Sequence, residues 1–190
     1  MTAFVERLDA SMIEMGAADE ASRTLFTMWR RNEGLLEQGT TLNAISPRLI
    51  LLPPTALEND VPNIGFMGKE TLFAKYYPET TTQPTAYPTS LLAQDYKKLI
   101  SVGYHAAISG EPWYDIIGTG ALLGFGRPEL IYERIILPFR TKSGYRRLFC
   151  LTIERDVAQQ RALPDRKHHV LNFPQKLDLG QVSQEALRTI

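Results

Sequence analysis

Cysteine occurs once in the 190 residues, at Cys150, which excludes an internal disulfide and any cysteine-rich metal site. Its setting, "LFCLTI", points to a buried strand position rather than a reactive thiol. Histidine is nearly as scarce, with only His105, His168 and His169. The last two are neighbours in "DRKHHV" and diverge in strand or helix, so they read as part of a basic surface patch rather than as ligands sharing a metal. Neither sign of charge is in excess, since Lys plus Arg and Asp plus Glu each number 21, and no global field recruits nucleic acid or an anionic membrane. No apolar run approaches the roughly 20 residues that cross a bilayer. The N-terminus "MTAFVERLDASMIEMG" also lacks the uninterrupted apolar centre of a signal peptide. The expected location is the cytoplasm, with neither nucleic acid nor membrane as a partner.

What is present suits a core of ordinary size, because 44% of the residues are hydrophobic and 22% charged. Helical spacing of Leu25, Phe26, Met28, Trp29 and Leu36 predicts an amphipathic helix from Asp19 to about Leu36, with Trp29 as its heavy anchor. Ahead of it, "FVERLDASMIEMG" reads as a further short helix stopped by Gly16. "RLILLPPTAL" and "NIGF" read as a pair of strands, followed by a short helix from about Lys69. After the proline- and threonine-rich loop from Pro78 to Ser90, Ser90 is placed as the cap of a longer helix, "LLAQDYKKLISVGYHAAIS", ending at Gly110. "EPWYDIIG" reads as extended. Then Ile131, Ile135, Leu137 and Phe139 recur at period two, with Glu133 as the polar exception. This predicts a half-buried strand, returned by "TKSG" into a second strand carrying Tyr145, Phe149, Leu151 and Ile153 on one face. Pro138 inside the first strand requires an edge position, a bulge, or a register that turns its nitrogen away from the neighbour.

The expected class is α+β, an antiparallel sheet covered by helices on one face. Five segments in order carry a resemblance: "LFTMWRR", "ISPRLILLP", "GFMGKETLFAKYYP", "ISGEPWYDI" and "YERIILPFRTKSGYRRLF". Together they span roughly Leu25 to Arg155 and resemble the PAS sensor fold, in the short single-domain form known from alphaproteobacteria. The matching details are Gly110, Glu111 and Pro112 after the long helix, Tyr132 to Pro138 in the next-to-last strand, and Gly144 in the last turn. The long loop from Pro78 and the C-terminal tail depart from it.

The resemblance implies a five-stranded PAS-like sheet at residues 45–156; the helical pattern ahead of it reads as an N-terminal helical extension at 1–44, and the polar, irregular residues 157–190 read as a C-terminal extension. The resemblance also implies a sensory or regulatory module acting through a signalling partner, through a small apolar ligand, or both. A homodimer is expected through Leu25, Phe26, Met28 and Trp29. The expected pocket is lined by Phe66, Leu72, Phe73, Leu99, Ile135, Leu137 and Phe149, with Tyr104 or His105 as polar handle. The competing expectation is that these side chains meet one another and close the space. The cofactor is left unknown. His105 is the one histidine placed to ligate a haem, but a lone helical histidine is more often hydrogen bonded. "GKETLFAKYY" holds no cysteine for flavin adduct chemistry. "GTGALLGFG" has no lysine to complete a phosphate loop.

The alternative function is a small cone-shaped isomerase or cyclase using Asp115 and Glu133, the carboxylates nearest apolar sequence, as acid and base. Against it, the same residues fit salt bridges, Glu133 with Arg134, Arg146 or Arg147 across the hairpin.

Overall fold

The computed structural model describes residues 1–37, 39–55, 60–78, 88–124, 126–156 and 170–171. Its strands are β1 (Phe4–Arg7), β2 (Leu49–Leu52), β3 (Phe66–Met67), β4 (Trp113–Gly118), β5 (Ile131–Arg140), β6 (Arg146–Glu154) and β7 (Val170–Leu171). Its helices are α1 (Ser11–Glu14), α2 (Glu20–Arg31), α3 (Thr40–Ile45), α4 (Leu72–Tyr76) and α5 (Gln94–Ser109). The strands form one antiparallel sheet in the order β3-β2-β6-β5-β4-β1-β7.

The central pair is the hairpin β5–β6. Thr141 and Tyr145 close its turn, and Gly144 takes the left-handed conformation (φ 82°) that the "TKSG" spacing calls for. β5 departs from the half-buried strand expected. It lies between β6 and β4 with helices over both faces, and residues 131–137 are all buried. Strands covered on both sides read as continuous apolar runs, not alternating ones. Alternation therefore survives as a division between two cores. Tyr132 and Ile136 join Ile50, Leu52, Leu148, Cys150, Trp113 and Ile117 on one face. Ile131, Ile135, Leu137 and Phe139 join Leu49, Phe149, Leu151, Tyr114 and Ile116 on the other.

Helices consequently cover two faces rather than the single face expected. α4 and α5 lie on the first, which will be called the cavity face. α1, α2 and α3 lie on the second, the helix-α2 face, where Leu25 and Phe26 are buried. α2 is capped by Asp19, whose carboxylate accepts from the Ala21 amide at 2.8 Å, and it ends at Arg31, before Leu36. Trp29 is half-buried and donates its indole N–H to the Pro138 carbonyl at 2.9 Å. That carbonyl and the Arg140 amide and carbonyl, which bond Gly34 and Leu36, all point away from β6. The Pro138 nitrogen therefore faces the side where β4 has already ended, and its missing donor breaks no ladder bond.

The N-terminal segment is where the sequence reading departs most from the fold. Residues expected to be helical form β1, in register with β4 from Phe4↔Gly118 to Arg7↔Asp115. Only Ser11–Glu14 is helical before Gly16. The stretch before residue 45 thus completes the sheet and its second core instead of extending from them. Ser90 falls in a 3₁₀ turn, Pro88–Leu91, while α5 starts at Gln94 and stops at Gly110. Most of the Pro78–Ser90 loop, His168, His169 and nearly all of the C-terminal extension lie outside the described residues.

Candidate functional site

Adjacent residues Glu133 and Arg134 on β5 are both buried, yet they cannot pair with each other because a strand sends neighbours to opposite faces. Each instead finds a partner on its own side, and this produces two polar sites back to back across the sheet.

On the helix-α2 face, the Glu133 carboxylate accepts from the Ser22 hydroxyl at 2.6 Å and from the Asp19 amide at 3.0 Å. It also accepts from Arg155 Nε at 2.8 Å and is ion-paired with the same guanidinium, whose Nη2 reaches the Ala17 carbonyl. A carboxylate at the first turn of α2 is favoured by the helix dipole as well as by the two donors. The site ties α2 to the centre of the sheet and to the end of β6.

On the cavity face, Arg134 lies directly opposite Asp115 of β4. Nε and Nη2 donate to the two Asp115 oxygens at 3.0 and 2.6 Å, and Nη1 donates to the Ile100 carbonyl of α5 at 2.9 Å. Trp113 Nε1 also donates to Asp115, at 2.6 Å, and the Tyr104 ring covers the guanidinium at 5.0 Å. Burial by itself would lower the guanidinium's pKa, but the Asp115 carboxylate outweighs it and holds the pKa above the ordinary arginine value. α5 can approach this closely because residue 103 is glycine. A Cβ there would stand 2.6 Å from Arg134 Nη2 and 2.7 Å from the Trp113 indole.

Beside this ion pair, between the sheet and α4 and α5, lies a cavity of about 70 Å³. Ile50 and Leu52 of β2, Leu72 and Phe73 of α4, and Ile100 of α5 supply apolar wall; Tyr96, Tyr104, Tyr132, Arg134 and Thr152 supply polar atoms. The Tyr96 and Tyr132 hydroxyls bond each other at 2.6 Å. The Tyr104 hydroxyl meets only the Cys150 sulfur, at 3.9 Å, among the described residues. Thr152 Oγ1 is buried with no hydrogen-bond partner among them. Burial pushes the phenol of Tyr96 up to about 12 and the Cys150 thiol up to about 11, and it raises Tyr104 and Tyr132 as well. Among the described residues the site is uncharged apart from the Asp115–Arg134 pair.

An alkaline limit to stability follows. The unfolded thiol ionises near 9 and the unfolded phenols near 10, but the fold keeps both protonated, so the native state binds more protons above those values. Their contribution is complete below pH 9 and is lost as pH rises toward 11 and 12. Denaturant midpoints should hold steady up to about pH 9 and fall beyond it. Cys150 should stay unlabelled by a thiol reagent at pH 8 until the protein unfolds, and labelling of the native protein would contradict the burial.

Of the residues expected to line a pocket, Leu72, Phe73 and Tyr104 do so together. Leu99 is buried in the same core without lining the cavity. His105 follows Tyr104 on α5, half-buried, with a buried Nε2 that has no hydrogen-bond partner among the described residues, and it does not line the cavity. Phe66 is on the edge strand β3, 45% exposed. Ile135, Leu137 and Phe149 are buried on the opposite face, because the apolar alternation chosen on β5 and β6 faces α2. The other alternation, Tyr132, Arg134, Ile136 on β5 and Cys150, Thr152 on β6, faces the cavity. Of the four residues expected at a dimer interface, Leu25 and Phe26 are buried in the chain's own core, while Met28 and Trp29 pack half-buried beside them. Asp115 and Glu133 stand on opposite faces, so they do not converge on one substrate. No group of three or more metal-ligating side chains occurs among the described residues, and no helix among them is long and apolar enough to cross a membrane. Comparison with family models, with curated proteins and with solved structures finds no match to this chain.

Proposed function

We propose that this protein is a non-enzymatic sensory or regulatory module of the PAS type, acting in the cytoplasm by binding a small ligand and by contact with a protein partner. In this reading β2 to β6 are the five-stranded sensor sheet, β1 is an added strand beside β4, and α2 covers the far side. The observation that carries it is the cavity between the sheet and α4 and α5, apolar along its walls and polar at Tyr104, Arg134 and Thr152. Sites for small molecules commonly have this make-up, a mostly apolar lining with a few placed polar groups. With Leu25 and Phe26 committed to the chain's own core, association with a second copy would use other surfaces. The isomerase reading gains no support from the geometry, since Asp115 is engaged by Arg134 and Trp113.

Thermal unfolding with fractionated small molecules from the native host tests the ligand arm. At a hundredfold excess over Kd, a true ligand should raise Tm by about 5–10 °C in a chain of this size. Ile64→Phe, which places a larger side chain at the half-buried cavity wall, should abolish the shift. If no fraction raises Tm, ligand sensing fails and only the protein-contact function is left.

A further inference from the structure

We propose that the cavity takes an uncharged molecule of about three or four non-hydrogen atoms bearing one hydroxyl or carbonyl group, seated with that group at Thr152, Tyr104 and Arg134. The proposal rests on the ligand-binding reading above and adds the ligand's chemical class.

Charge decides the first part. Arg134 is the one cation lining the cavity among the described residues, and its charge is already met by a two-point contact with Asp115 at 3.0 and 2.6 Å. A carboxylate ligand would therefore bring an unbalanced negative charge into a desolvated site. An ammonium ligand fares no better, because both Asp115 oxygens are occupied, one by Arg134 Nε and the other by Arg134 Nη2 and Trp113 Nε1. Of the tyrosines lining the cavity, Tyr96, Tyr104 and Tyr132 have their phenol pKa raised by burial, which opposes any charge there.

Unused hydrogen-bonding capacity decides the second part. Tyr96 and Tyr132 satisfy each other, but Thr152 Oγ1 has no partner among the described residues and Tyr104 has only a distant sulfur. Arg134 carries five N–H groups, and three are committed: one each from Nε, Nη2 and Nη1. These groups are neighbours. Thr152 lies opposite Arg134 in the β5–β6 register, and the Tyr104 ring covers the same guanidinium. Buried polar groups are nearly always satisfied, so a cluster of under-used donors at one end of an apolar cavity is suited to a ligand's polar end. Size decides the third. A cavity of about 70 Å³ is roughly half the ~150 Å³ that accommodates benzene in an engineered core.

The test is a methyl and side-chain NMR titration at pH 7 with four probes of one length: propan-1-ol, propionate, propylammonium and propane. Propan-1-ol should shift the methyl signals of Thr152 and Ile100 saturably, and propionate and propylammonium should bind at least tenfold more weakly. Thr152→Val keeps the shape and removes the hydroxyl. It should weaken propan-1-ol about fivefold, the worth of one hydrogen bond, and leave propane unchanged. Tyr104→Phe is a second variant with the same expected direction, and thermal melts confirm that each variant folds. Propionate or propylammonium binding as tightly as the alcohol overturns the neutral class but leaves ligand binding standing. Alcohol binding indifferent to both substitutions overturns the assigned head group. Failure of all four probes, propane included, overturns the ligand-binding reading itself.

Discussion

Arg134→Met is expected to destabilise the protein by about 3–5 kcal/mol, because it leaves Asp115 charged, buried and without its main partner. The whole stability of a domain is about 5–15 kcal/mol, so this single change removes a large share of it. Some of the loss is packing, since the guanidinium also fills the space beneath Tyr104 and beside Gly103. The double variant Asp115→Leu, Arg134→Met separates the two contributions: exchanging a buried pair for apolar residues of similar volume should restore most of the stability. Urea unfolding of the two single variants and the double variant gives the coupling directly. A single-variant cost below about 1 kcal/mol, the range of exposed pairs, would mean that water reaches the site.

Glu133→Ala should cost a comparable amount, about 3–5 kcal/mol, but its effect should be confined to the other face. It strips the partner from Arg155, the Ser22 hydroxyl and the Asp19 amide together, and those groups fix the start of α2. Amide hydrogen exchange should therefore speed up across α2 more than across α5, which packs on the opposite core. Arg134→Met should show the reverse order. Equal acceleration of both helices by either variant would contradict the division into two separately anchored faces.

The outline of the sheet was legible in the sequence. Period-two alternation located β5 and β6, Gly144 located their turn, and Gly110 located the end of α5. Less legible was which alternation faces which partner. In β5 both sets are buried, so Ile135 and Leu137 looked like the lining of a pocket when they belong to the α2 core. The useful signal was the charge pair at Glu133 and Arg134. Two ionisable neighbours inside an apolar run imply burial on both faces with a separate partner on each, because no strand can turn both toward one partner. β1 was missed for a different reason. Four residues at the N-terminus are too few for periodicity to register, and they are held by pairing with β4, more than 100 residues later in the chain. Asp115 is buried, as its apolar sequence surroundings suggest, but its cross-strand partner follows from the β4–β5 register, which sequence spacing alone does not specify.

Ligand sensing, as proposed, requires that a small molecule enter the protein between the sheet and α4 and α5. Xenon tests this most directly, because it reports an accessible apolar cavity whatever the natural ligand is. With methyl-labelled protein under xenon pressure, saturable shifts are expected at Ile50, Leu52, Leu72 and Ile100, and none at Ile135, Leu137 or Leu151 on the far side of the same sheet. Shifts confined to that far side, or no shifts at all, would contradict it.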